Sequence, residues 1–214
     1  MKGVIFDWDG VVIDSSAQHE KSWELLAEEI QKPLPADHFK AGFGKKNQEI
    51  IPGLLRWSED PEEIRKLSER KEELYRELVR EQGVAVLPGA RELLEALKSA
   101  SIPRSVGSST PRSNLDAIFA TTGLDRLFDA VVCGDDVTNG KPAPDVFLLA
   151  AERLGLAPAD CLVIEDAHVG IEAARRAGMK VLAVATTNPL AELVLADAAV
   201  TSLAEVTPES LQQI

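Results

Sequence analysis

Val4-Ile5-Phe6-Asp7-Trp8-Asp9-Gly10-Val11-Val12-Ile13-Asp14-Ser15 is the stretch on which the fold turns. A short apolar run stops at two aspartates one residue apart, followed by a glycine, a second apolar run and Asp-Ser. The pattern predicts a buried strand that carries carboxylates to its C-terminal end, the edge at which open α/β sheets bind ligands. On an extended strand end Asp7 and Asp9 can point into one crevice. Two like charges held that close require a cation, a shared proton or both. Taken alone, the same four residues read equally well as a solvated turn built around Gly10.

After Asp14 the periodicity changes. Ser15 or Ser16 can cap a helix whose His19, Trp23, Leu26 and Ile30 fall on one face, and strand-like runs are not expected again until about residue 102. Between lie a turn near Lys32 to Pro35, a helix from about Lys46 to Leu55 and a long charged helix over Pro61 to Gln82. For that last helix Asp60 is the predicted N-cap, Pro61 the first residue and Glu63 the closing member of a capping box. Residues 16–82 therefore read as an all-helical block inserted into a core made of 1–15 and 83–214.

Beyond the return linker and a helix over 90–99, apolar strands alternate with helices. Strands are predicted over 103–107, 130–133, 161–164, 181–185 and 198–200, and helices over 113–122, 145–154 and 170–177. Near-continuously apolar strands separated by helices predict a parallel sheet covered on both faces, a doubly wound α/β core.

Composition narrows the function classes. The 214 residues are 45% hydrophobic and 27% charged, a soluble globular balance with no stretch approaching the ~20 apolar residues of a membrane span. With no leader pattern at the N-terminus, the expected location is cytoplasmic. A formal charge of -12 argues against a nucleic-acid partner; an anionic substrate would need local positive charge, from a cation, a lysine or helix N-termini. Cys133 and Cys161 sit in apolar runs without metal-binding spacing and are expected to be buried and reduced. No interface stripe stands out, so a monomer is the default.

Four strand ends or adjoining loops carry polar residues: Asp7 and Asp9; Gly107-Ser108-Ser109-Thr110; Gly140-Lys141-Pro142; and Glu165-Asp166. Parallel strands place these along one edge. Ser108 and Ser109 suit either an anion cradle or an ordinary helix cap, and Lys141 by itself suits the surface. Glu165-Asp166 at the end of a buried strand is costly unless something neutralises it. Oxygen ligands without nearby cysteine favour Mg²⁺ over zinc, and His168 reads as a first-turn helix residue. A carboxylate, a metal, an anion cradle and a lysine together form a set suited to phosphoryl transfer.

Asp7-Trp8-Asp9-Gly10-Val11-Val12-Ile13-Asp14-Ser15, Val106-Gly107-Ser108-Ser109-Thr110, Gly140-Lys141-Pro142-Ala143-Pro144-Asp145 and Val163-Ile164-Glu165-Asp166-Ala167-His168-Val169-Gly170-Ile171 resemble the four ordered motifs of the haloacid dehalogenase superfamily. The helical insert resembles the cap of its subclass containing β-phosphoglucomutase and phosphoglycolate phosphatase. This resemblance implies a Rossmann-like core with Asp7 as a nucleophile that becomes an aspartyl-phosphate and Asp9 as general acid and base. It implies Mg²⁺ held by the Asp7 carboxylate, the Asp9 carbonyl and Asp166, with Glu165 in or beside that shell. Ser108, Ser109 and Lys141 would hold phosphoryl oxygens, and the peptide before Pro142 would be cis.

In the insert, His19 and Trp23 match positions that face the active site in mutase-like relatives, although a core stripe explains Trp23 equally well. Lys45 stands where β-phosphoglucomutases place an arginine, Glu77 near the point where they carry a substrate-facing lysine, and Arg112 is expected to add a substrate contact. The expected protein is a Mg²⁺-dependent phosphatase of a small phosphorylated metabolite, a sugar or polyol phosphate. Its rivals are a β-phosphoglucomutase-like mutase and a receiver-like phospho-acceptor module, which would need no helical insert.

Overall fold

The computed structural model describes residues 1–42 and 46–214. They fall into two compact units, Met1–Asp14 with Val84–Ile214, and Ser15–Gly83.

The first unit is built on a six-stranded parallel sheet with β1 (Gly3–Phe6) near its centre. Ile13–Asp14 forms β2 and Ala85–Val86 forms β3, a two-stranded antiparallel ribbon outside that sheet, with Ile13 opposite Val86 and Asp14 opposite Ala85. The sheet continues with β4 (Arg104–Gly107), β5 (Ala130–Val132), β6 (Cys161–Glu165), β7 (Lys180–Val184) and β8 (Ala198–Val200), in the order β5-β4-β1-β6-β7-β8. Strand order thus departs in both directions from β1, which puts the ligand-binding crevice of such sheets at its C-terminal end. The ribbon is a feature the sequence reading missed, because two residues per strand are too few to show a period of two.

Helices Ala90–Ser99, Arg112–Thr122, Asp145–Arg153 and His168–Arg176 connect the strands. Every residue of β1, β4 and β6 is buried, as expected of strands covered on both sides. On one face Ile5, Val163 and Val181 join Phe147 and Ile171 in a single apolar cluster. Phe6 meets Phe128 and Trp8 meets Phe119 edge to face, at 6.0 and 5.0 Å between ring centroids. Cys133 and Cys161 are free and buried; burial raises both thiols, Cys161 to about 11, which keeps them from acting as nucleophiles.

Among its described residues, the regular structure of the Ser15–Gly83 unit is all helical. Helices Ser16–Ile30 and Pro61–Gln82 pack through Trp23, Leu26, Ala27 and Leu74, and Ile50, Ile51, Leu55 and Trp57 complete the cluster. Asp60 caps the long helix by accepting from the Glu62 N–H at 3.2 Å. Glu63 does not close the predicted capping box: it accepts from Ser58 Oγ at 2.6 Å, while Ser58 Oγ takes the Asp60 N–H. Ser58 has assumed the role assigned to Glu63. No helix among the described residues is long and apolar enough to cross a membrane.

Replacing an N-cap side chain with alanine typically costs about 1 kcal/mol. Asp60→Ala is expected to lose about that much in a urea titration followed by tryptophan fluorescence, since Trp23 and Trp57 both report on this unit. A midpoint equal to that of the parent chain would contradict the cap assignment.

Candidate active site

Asp7 leaves β1 while its N–H still donates to the Ile164 carbonyl at 2.9 Å. Its carboxylate therefore emerges at the C-terminal edge of the sheet. The chain then turns at Gly10 with φ of 80°, and a Cβ there would collide with the Asp166 carboxylate. Glycine is required on both counts.

Lys141 reaches this edge from the loop after β5. Its Nζ donates to Asp7 Oδ1 at 2.6 Å and to Glu165 Oε1 at 2.7 Å, and lies 4.6 Å from the Phe147 ring centroid. The Lys141–Pro142 peptide is cis. The other Glu165 oxygen accepts the N–H groups of Asp166 and Ala167, both at 2.7 Å. A Cβ on Gly170 would overlap the same carboxylate, so the first turn of the following helix must be bare at that point.

Carboxylate oxygens of Asp7, Glu165 and Asp166 lie within 4.8 Å of one another, all three residues buried. Burial raises the Asp7 carboxyl well above its ordinary range; Lys141 opposes this, and Glu165 and Asp166 add to it. Burial likewise pushes Asp166 up to about 7, with Glu165 adding and the Thr187 hydroxyl and Lys141 subtracting. Burial alone would lower Lys141, but the two carboxylates it touches outweigh that and hold it above the usual lysine range. Three acids against one ammonium leave the cluster short of positive charge. Its oxygen-only donors fit a hard divalent cation.

Asp9 is not a member of that group of acids. Its Oδ2 accepts from Thr110 Oγ1 at 2.6 Å, so the two aspartates of the first motif have different surroundings. Ser108 is buried, and its Oγ accepts the Thr110 N–H at 3.0 Å. In the turn after β4, Ser108 N–H donates to Val132 O and Arg112 N–H to Asp135 Oδ2. Ser109 is exposed. Arg112 donates through one guanidinium nitrogen to the Val131 carbonyl at 3.1 Å and to Asp136 Oδ2 at 3.2 Å. His168 begins its helix, exposed and 3.9 Å from Glu192.

Sequence reasoning missed the loop after β7. The Thr187 hydroxyl donates to Asp166 Oδ2, Asn188 Nδ2 donates to the Asp166 carbonyl at 2.9 Å, and the Thr186 hydroxyl donates to the Gly10 carbonyl. Three consecutive polar residues at another strand end on the same edge were the available signal. Thr110, within the second motif, is a further partner that sequence reasoning did not single out.

The sequence profile of haloacid dehalogenase-like hydrolases matches residues 1–178. The chain belongs to that family. Among its relatives is the chloroplastic 5-amino-6-(5-phospho-D-ribitylamino)uracil phosphatase of Arabidopsis thaliana, 35% identical over 215 residues; the match covers 99% of this chain but only 57% of that protein's length. The β-phosphoglucomutase of Bacillus subtilis is 33% identical over 221 residues, with 100% of this chain and 95% of that one covered. A solved haloacid dehalogenase hydrolase of family IA, variant 3, from Entamoeba histolytica superposes with a TM-score of 0.89 at 31% identity, covering 100% and 98% of the two chains.

The helical unit of this haloacid dehalogenase-like hydrolase has a polar cluster of its own. Lys71 Nζ lies 2.7 Å from His19 Nδ1 and 3.0 Å from Glu72 Oε1, and 5.6 and 5.4 Å from the ring centroids of Trp23 and Tyr75. The His19 ring stacks on Tyr75 at 4.1 Å. Trp23 is buried in the apolar cluster, consistent with the core stripe. Glu77 is exposed and pairs with Arg70, and the same helix carries the buried Lys71. Lys45 lies outside the described residues.

A carboxyl whose pKa folding raises keeps, in the folded chain, a proton that the unfolded chain has released. The stability Asp166 contributes without metal is thus complete below about pH 4 and lost as pH rises through about 7. Against Asp166→Asn, which does not ionise, the metal-free parent chain is expected to lose relative thermal stability across that window. A constant difference in melting temperature is the contrary result.

Proposed function

We propose that this hydrolase is a Mg²⁺-dependent phosphatase that cleaves a phosphomonoester of a small sugar or polyol through an aspartyl-phosphate on Asp7. The observation that carries the reading is the buried cluster of Asp7, Glu165 and Asp166 with Lys141 donating to the first two. Asp7 and Asp166, with the Asp9 backbone, would hold Mg²⁺, and Glu165 keeps Lys141 in place. When bound, the ion supplies positive charge against the phosphoryl oxygens and so lowers the repulsion between two anions.

Asp7 attacks phosphorus while the bond from phosphorus to the ester oxygen breaks. Asp9 gives its proton to the departing oxygen, and the hydrogen bond from Thr110 to one of its oxygens orients the other for that transfer. Asp9, now ionised, accepts a proton from the water that attacks the aspartyl-phosphate, and the bond between phosphorus and Asp7 breaks to release phosphate. Lys141 and the Ser108 hydroxyl hold the transferring group in line. Small size and a polyol or sugar character are supported by the phospho-D-ribityl group in one relative's name and the phosphoglucose of the other.

A second reading, a phosphosugar mutase, is favoured by one observation. In the helical unit, His19, which the mutase resemblance marks as substrate-facing, lies against the buried Lys71 of the long helix. The two readings share Asp7 and Asp9 and differ in whether water or a sugar hydroxyl takes the phosphoryl group.

Phosphate release is to be measured across small sugar and polyol phosphates with and without Mg²⁺, and glucose 6-phosphate formation from β-glucose 1-phosphate plus a trace of bisphosphate. Release that depends on Mg²⁺ is expected, and glucose 6-phosphate without phosphate release would replace the phosphatase by the mutase. Asp7→Asn is expected to abolish turnover, and Asp9→Asn to slow it by ~10²-fold or more. Full activity in Asp7→Asn would sink both readings.

A further inference from the structure

We infer that the Thr186-Thr187-Asn188 loop is the positioning device of the cation site, and that Thr187 sets the affinity for the metal by fixing the Asp166 carboxylate. The inference rests on the proposal that the acidic cluster holds Mg²⁺.

Asp166 follows β6, whose neighbours are β1 and β7. It is the one acid of the three that Lys141 does not touch through a hydrogen bond. Glu165 has both oxygens engaged and Asp7 is held on one oxygen by Lys141, whereas Asp166 takes its side-chain hydrogen bond from Thr187. Asn188 fixes the same residue from the backbone side, donating to its carbonyl at 2.9 Å. Thr186 then secures the loop to the Gly10 carbonyl, within the turn that presents Asp7 and Asp9.

Gly10 shows how closely these parts meet, because a Cβ there would crowd both the Asp166 carboxylate and the Thr187 hydroxyl at once. A carboxylate with one oxygen anchored presents the other in a fixed direction. Such outer partners of metal ligands typically contribute 10–100-fold in affinity.

Calorimetric titration of the substrate-free protein with MgCl₂ alone tests this, on the parent chain and on Thr187→Val, Thr187→Ser and Asn188→Ala, with melting temperatures of each in the absence of metal. Valine keeps the branched shape without the hydroxyl, and serine keeps the hydroxyl. The expected result is Mg²⁺ binding weakened about tenfold or more in Thr187→Val, near-parental binding in Thr187→Ser, and weaker binding in Asn188→Ala. Equal affinity in the parent chain and Thr187→Val overturns the inference and leaves the phosphatase proposal standing. No Mg²⁺ binding by the parent chain overturns that proposal, and the inference with it. Should Thr187→Val fail to fold, Asn188→Ala decides, with parental affinity counting against the loop.

Discussion

Burying three carboxylates beside one ammonium is the constraint around which the sheet unit is arranged. Lys141 joins Asp7 from β1 to Glu165 from β6, and a charge pair taken out of water is tolerable only when its remaining valences are also satisfied. Glu165 meets that condition with two backbone N–H groups. Asp166 meets it through a loop from the next strand along. Gly10 and Gly170 are bare where those carboxylates lie. Each of these contacts serves to hold like charges close.

The same crowding shows how one edge of a sheet can give two aspartates different surroundings. Asp7 lies among charges and is held by a cation; Asp9, two residues later, faces a threonine hydroxyl. Alternation along an extended backbone would have sent both side chains to the same side. The turn at Gly10 changes that, closing on the Trp8 carbonyl through the N–H groups of Val11, Val12 and Ile13. The two carboxylates are thereby separated by backbone geometry.

Much of the fold was legible because it depends on long apolar runs. Strands β1, β4, β5, β6 and β7 fell within a residue or two of their predicted limits and β8 matched; for β1, β4 and β6 burial on both faces leaves little choice of residue. The ribbon of Ile13–Asp14 with Ala85–Val86 was illegible, being too short for any period. At the site, Asp7, Lys141, Glu165 and Asp166 could be picked out because strand ends collect them. The partners that hold them could not, as Thr110, Thr187 and Asn188 are ordinary loop residues until the neighbouring strand is known. Lys71 was hidden for the opposite reason: in a helix crowded with lysine, arginine and glutamate, one cation on the buried stripe of Ser68, Leu74, Tyr75 and Leu78 does not stand out.

The ribbon has a bearing on how the chain came to be assembled. Asp14 and Ala85 face each other across it, so the points at which the chain leaves the sheet unit and rejoins it are adjacent strand partners. A segment that departs and returns through neighbouring residues makes no topological demand on its host, and insertions of that kind are the ones compact folds accept most readily. The Ser15–Gly83 stretch has its own apolar core and can be lengthened, exchanged or rebuilt by descent while the strand register behind the acids stays as it is. Changes among the buried acids at the sheet edge would have to be coordinated with their partners; changes within the insert would require only local ones.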